Sequence, residues 1–489
     1  MRTYKAYTVS ALLINFAMGT GVLNLPKTVA NASILVSFAI LTLVTFQAYL
    51  LARYTLDSLA RTFAIQRTTS EQQQQIPHLG STENIMISYE NTHGFIAEKP
   101  DYQIPNNFTF QFSELCHIYW GKTGFIIYQV TIIFFLFGAI WGYASVVAQS
   151  ISSVVPFGAN WECADPCGDS YSEICNVAYY IWTYAALVYC CIMVFFDLSN
   201  QNILQGIFTI FRLVSVGGIA LITFISIFIG PFNPDGSNVS NEVKQVYIQD
   251  TPIFQFSTQS FGSIFSSSAY AIILHSCIPN VVQPTMIDQQ KYLNHSITGA
   301  FLIMYVIMGF VSYPGGLYFG NLGNQLITLN LIKWDGKSWN ATSQPIWAAI
   351  LSNIIRILPP IYVLGAIPIN GITMADNVVA MFPTLKSKKY FIISIKLLCV
   401  IPPIIFGGFF RCISDIINIT GLFGFVVLLA PAFILIKAKK NTKEAFGLVA
   451  TPYSGFCDQD WIIILIMMFN IIGFGFAFYT VIVNFKGTS

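Results

Sequence analysis

The stretch NFAMGTGVLNLP, Asn15 to Pro26, decides how this chain is read. It lies inside the first long apolar segment, and the triplet Gly19-Thr20-Gly21 interrupts it. Two glycines so close together favour a break in a membrane helix. The break frees backbone amides and carbonyls at bilayer depth, where they are tolerated only against protein or a cavity. In a chain with many spans, a broken helix marks the central binding site of a transporter.

The composition supplies the many spans. Of the 489 residues, 55% are hydrophobic and 9% are charged, whereas a soluble domain carries roughly 25% charged residues. So much apolar surface needs a lipid bilayer around it, and a formal charge of +2 offers nothing to nucleic acid. A helix needs roughly 20 apolar residues to cross the membrane. Counting on that basis gives about eleven spans, at 7–30, 33–57, 123–150, 176–196, 201–230, 255–280, 297–320, 345–382, 391–411, 415–436 and 460–484. The whole chain, 1–489, reads as one transmembrane domain of all-α class. The eighth span carries Pro359, Pro360 and Pro368, so a kink or an early end is expected there. Arg2 and Lys5 precede the first apolar run without a small-residue cleavage site after it, so the first span is expected to stay in the protein.

Lys and Arg gather on one side: Arg2, Lys5, Arg61, Lys386, Lys388, Lys389 and the group from Lys437 to Lys443. The positive-inside rule then predicts a cytoplasmic N-terminus and an outer C-terminus. Asn238 and Asn340, each in an Asn-x-Ser/Thr sequon, fall in outer loops and are expected glycosylation sites. Residues 62–112 read as one long cytoplasmic loop, rich in Gln and largely disordered, with a short interfacial helix at 113–121. The outer loop 157–175 holds Cys163, Cys167 and Cys175. In an oxidising compartment Cys163 is expected to pair with Cys175, which leaves one thiol over. Zinc is the alternative, with no histidine nearby and no metal site expected elsewhere.

The sixth span reads FGSIFSSSAYAIILHSCIPN, Phe261 to Asn280. Ser266-Ser267-Ser268 sets three hydroxyls in a row at mid-depth, and with the first span it suggests a second broken helix. The alternative is that these hydroxyls bond back to carbonyls of their own helix.

The segment Asn15 to Pro26 resembles the first-helix signature of the amino acid/auxin permease superfamily. His275 to Leu293, Phe195 to Gln205 and Asn418 to Gly447 are similar to later segments of that superfamily, nearest to its transmembrane protein 104 branch. The resemblance implies a five-plus-five inverted repeat of the leucine-transporter type, with an eleventh helix and broken helices one and six. It implies a small neutral amino acid as substrate, bound at Gly19, Thr20, Gly21, Ser266, Ser267, Ser268 and Tyr270. Half-helix amides suit the substrate carboxylate, and carbonyls with serine hydroxyls suit its ammonium. Asn15 matches an asparagine of the sodium site in sodium-coupled relatives, or serves as interhelical glue. The stretch Ile361 to Ala366 lacks the hydroxyl that those relatives place on helix eight, which argues against sodium. His275 has the intrinsic pKa for a proton-coupling group, or is bonded to a backbone carbonyl. Arg212 and Arg356 as anion ligands are a lesser alternative.

The expected function is secondary active transport of an amino acid by alternating access, coupled to sodium or protons, at the plasma or endolysosomal membrane. The alternative is an amino acid-binding sensor that transports little. No enzyme is expected, since the chain has no HExxH, no GxSxG and no nucleotide-binding loop. No cofactor is expected beyond the coupling ion.

Overall fold

The computed structural model describes residues 3–17, 19–74, 100–105, 111–155, 163, 166–167, 171–195, 202–229, 256–320, 323–332, 334–336, 343–382, 388–447 and 450–487. Asn238 and Asn340 lie outside them, as do most of the loops 62–112 and 157–175.

Among the described residues, ten helices are long and apolar enough to cross a membrane, or up to eleven if a bent pair counts as one span. That pair is α1 (Ala6–Ala17) and α2 (Gly21–Ala32), bent by 61° at the Gly19-Thr20-Gly21 step. Spans two to five are α3 (Ile34–Gln74), α4 (Phe112–Ser152), α5 (Glu173–Met193) and α6 (Asn202–Ile229). The sixth consists of α7 (Thr258–Ile272), a 3-10 turn at His275–Cys277 and the short α8 (Ile278–Val282). Spans seven to eleven are α9 (Leu293–Phe319), α10 (Ile346–Ala380), α11 (Lys389–Phe409), α12 (Ile413–Phe446) and α13 (Asp460–Gly487). The first and sixth spans break, five spans apart, as the five-plus-five architecture requires. Helix α4 packs along α10 and α12, while α2 lies against α7 and α9. This surrounds the two broken spans with continuous helices.

Several local expectations change. The sixth span does not break at its serines. Ser266, Ser267 and Ser268 are helical, and the chain leaves the helix at Ile273, whose ψ is 109°. Helix α10 runs through Pro359, Pro360 and Pro368 without ending early, because neighbouring helices and local adjustment tolerate proline in a membrane. Helix α12 continues ten residues past the expected end at 436, into a polar stretch. It stops at Gly447, whose φ of +68° and N–H bond to the Lys443 carbonyl make a C-terminal cap.

The boundaries of the segment expected as a cytoplasmic loop also move. Residues 62–74 continue α3 as helix rather than disordered chain. Ala64 and Ile65 are buried against Phe446 of α12. Further on, the Ile104 backbone exchanges two hydrogen bonds with the Gln290 side chain. A polar composition hides such partners because they come from distant helices. The interfacial helix begins at Phe112 and turns into the third span at Gly121, where φ is +67° and ψ is −165°. Only glycine takes that conformation readily.

Candidate substrate site

Helix α2 begins inside the protein, with Thr20 and Gly21 buried. The first-turn amides of a helix have no intrahelical acceptor, so the start of α2 offers donors and the positive end of a helix dipole. The two glycines have different jobs. A Cβ on Gly21 would stand 2.8 Å from the Tyr270 ring and 2.9 Å from the Ala271 Cα, so Gly21 permits the close crossing of α2 and α7. A Cβ on Gly19 would meet the Tyr143 hydroxyl at 2.9 Å, the movable tip of a side chain from α4. Thr20 Oγ1 lies 3.3 Å from the Tyr270 hydroxyl. On the other side of Tyr270, a Cβ on Gly142 would stand 3.4 Å from that hydroxyl.

Arg212 of α6 enters the same region. It lies ten residues into α6, about 15 Å along the axis at 1.5 Å per residue, near the middle of a bilayer core of roughly 30 Å. Its Nη1 donates to the backbone carbonyl of Asn15, and to Asn15 Oδ1 at 2.7 Å. Its guanidinium carbon lies 5.1 Å from the centroid of the Tyr362 ring on α10. Tyr143 of α4 reaches the same region from beside Gly19. Among the described residues no acidic side chain pairs with Arg212, whereas Arg61, for example, has Asp57 at 3.0 Å. Placing a charged arginine at the centre of a membrane helix costs roughly 2.5–3.5 kcal/mol, which makes Arg212 a candidate functional residue. The bound Arg212 also changes the reading of Asn15. Its amide oxygen serves a guanidinium, and a second cation beside it is opposed by charge.

The other expected residues are placed as follows. The Ser266 hydroxyl donates to the Asn418 carbonyl of α12 at 3.1 Å, and a Cβ on Gly421 would press against the Ser266 hydroxyl at 2.1 Å. Ser266 therefore ties α7 to α12 rather than facing a ligand. Ser267 and Ser268 are buried, and their hydroxyls have no partner among the described residues. The Nε2 of His275 lies 2.9 Å from the Ala48 carbonyl of α3, which is the backbone-bonded alternative. Tyr143 and Tyr362 were not expected at the site. Their positions carry no signal in the sequence, because α4 and α10 reach this region only through the tertiary fold.

The two faces of the protein differ. Beside the N-terminus, Tyr4 N–H donates to the Pro284 carbonyl at 3.0 Å, and Met286 N–H to the Tyr4 carbonyl at 3.0 Å. The Tyr4 hydroxyl also donates to the Val281 carbonyl. This strap holds the start of the first span against the end of the sixth. On the opposite face a cavity of about 480 Å³ opens among Trp141, Cys167, Phe410, Asp415, Ile416 and Asn418. A Cβ on Gly142 would lie 3.5 Å from Ile416, so the cavity wall adjoins the layer that holds Tyr270. Among the described residues, the N-terminal side is strapped at Tyr4 and the other side is indented.

Disulfides shape that indentation. Cys163 is joined to Cys175, and Cys167 is joined to Cys412 at the start of α12. The second bond takes up the thiol that the loop alone left over. Opening the Cys167–Cys412 link with Cys412→Ser is expected to cost about 2–4 kcal/mol, because it closes a long loop. Thermal unfolding in detergent, with and without reductant, checks this; an unchanged midpoint on reduction would show that the link does not tether the loop.

No family model matches the chain. It is 22% identical over 386 residues to the transmembrane protein 104 homolog of Caenorhabditis briggsae, covering 77% of this chain and 68% of that protein. It is 19% identical over 479 residues to human transmembrane protein 104, covering 91% and 89%. Its structure is similar to that of a manganese transporter of Eremococcus coleocola, with a TM-score of 0.50, 11% sequence identity, and 98% of this chain and 92% of that one covered. The chain is a multi-pass membrane protein with the fold of a membrane transporter, similar over most of its length to the proteins named transmembrane protein 104.

Proposed function

We propose that this protein is a secondary active transporter of small neutral amino acids, of the amino acid/auxin permease type, working by alternating access. The observation that carries the reading is the break at Gly19-Thr20-Gly21, where the start of α2 meets Tyr143 of α4 and Tyr270 of α7. Free amides, a positive dipole end and hydroxyls in one buried place suit a carboxylate-bearing ligand. A divalent metal as cargo fits poorly beside the Arg212 guanidinium, as does sodium at Asn15. The coupling ion is sodium or a proton, which the uptake test below separates. The N-terminus is proposed to face the cytoplasm, and Asn238 and Asn340 to carry glycans outside. A sensor that binds amino acid without moving it uses the same site and is the second reading, supported by the strap that ties Tyr4 to Pro284 and Met286.

The test is uptake into proteoliposomes from a mixed radiolabelled amino acid pool, with a sodium gradient, a proton gradient, or neither. Gly19→Val serves as the control, since a Cβ at that position already meets the Tyr143 hydroxyl. Uptake that needs one of the two gradients and falls at least tenfold in the control is the expected result. Thermal stabilisation by an amino acid without uptake supports the sensor instead.

A further inference from the structure

We infer that Arg212 is the carboxylate receptor of this site, so that the pocket is built for a ligand carrying a carboxylate and is charge-balanced only when occupied. The inference rests on the site proposed above but names a residue and a ligand group that the broken-helix reading alone does not. Four observations carry it. Arg212 is 8% exposed, at mid-membrane depth. Its Nε has no hydrogen-bond partner, and Nη1 is spent on two neutral oxygens of Asn15. No acid among the described residues pairs with it. The Tyr362 ring beneath the guanidinium carries a buried hydroxyl that is also unpartnered.

A buried guanidinium is stable when its charge and its donors are both met. Asn15 supplies hydrogen bonds but no charge. Asp197, which precedes α6, lies outside the described residues and is separated from Arg212 by fifteen positions. Five of those positions precede the start of α6, and the ten within it span about 15 Å. A carboxylate supplies what is missing. Its two oxygens match the planar fork of arginine, and it would sit among the Tyr143 and Tyr362 phenols, Thr20 and the first amides of α2. Asn15 then has the role of holding the fork in place, which explains why its oxygens face a cation. This carboxylate comes from an amino acid or from a simple monocarboxylate, and the test separates the two.

The test is thermal unfolding of purified wild type, Arg212→Gln and Arg212→Lys, titrated with alanine, alaninamide, propionate or chloride. Uptake from the mixed amino acid pool is measured in parallel. Alanine is expected to stabilise wild type, with alaninamide and Arg212→Gln each weakening the apparent affinity roughly 100-fold. Arg212→Lys, which keeps the charge and loses the fork, is expected to fall between. The wild-type panel decides the question even where a variant does not fold. Stabilisation by propionate but not alanine keeps Arg212 as receptor and removes the amino acid reading. Alaninamide as effective as alanine, chloride as effective as either, or Arg212→Gln with wild-type uptake and affinity would overturn the inference, and the last would leave the transporter reading standing. A wild type that no probe stabilises and that takes up nothing from the pool sinks both.

Discussion

Gly21→Val is expected to abolish uptake and to destabilise the protein by about 3 kcal/mol, the upper end of the usual overpacking cost. The reason is local. The added atoms start 2.8 Å from the Tyr270 ring and 2.9 Å from a backbone carbon of α7, and that backbone cannot swing aside as a side chain does. Gly21→Ala is expected to do the same in lesser degree. Gly19→Ala should be nearly neutral for stability. Its φ is not in the left-handed region, so the unfolded-state gain of roughly 0.4–1 kcal/mol from Gly to Ala offsets a small shift of Tyr143. The measurement is unfolding in mixed micelles for the three variants, beside uptake. Equal losses at positions 19 and 21 would show that the crossing of α2 and α7 is not what Gly21 provides.

Asp57→Leu is expected to cost about 3–5 kcal/mol, the range for removing one partner of a buried ion pair. Asp57 and Arg61 are each 1% exposed and lie 3.0 Å apart on consecutive turns of α3. Thr451 donates to Asp57 Oδ1, Ser454 Oγ lies 3.4 Å from Asp57 Oδ2, and Arg61 Nη2 donates to Ser454 Oγ at 3.0 Å. The same face of α3 sends Arg53 to the Tyr453 carbonyl and the Tyr54 hydroxyl to the Cys457 carbonyl. The pair therefore fastens α3 to the link between α12 and α13. A double-mutant cycle separates the pair from its packing. Asp57→Leu with Arg61→Met is expected to recover most of the lost stability, because no unpaired charge stays buried. If the double variant is as unstable as the two single losses added together, the coupling between the charges is not the source.

The two networks differ in how their charges are met. Arg61 has Asp57 one turn away in the same helix, so its charge is balanced by the fold itself. Arg212 has only neutral acceptors among the described residues. The first pair is balanced within the fold, and the carboxylate inferred above would balance the second.

Much of this was legible in the sequence. The number of spans, the break at Gly19-Thr20-Gly21 and the all-α architecture follow from apolar runs longer than a bilayer and from two glycines inside one of them. These are local properties, set by the chemistry of consecutive residues. Cys163 and Cys175 were legible as a pair for the same reason, since they lie in one short loop. What the sequence left undetermined depends on residues far apart in the chain. Cys167 finds Cys412 across 245 positions, Asn15 finds Arg212 across 197, and Ile65 finds Phe446 across most of the protein. The serine row at 266–268 signalled polarity at mid-depth, but only the packing of α7 on α12 shows that Ser266 is spent on the Asn418 carbonyl. A sequence records which groups must be satisfied inside a membrane. The tertiary structure decides which of them satisfy one another, because that depends on which helices meet, and so it alone shows Arg212 left without a counter-charge among the described residues.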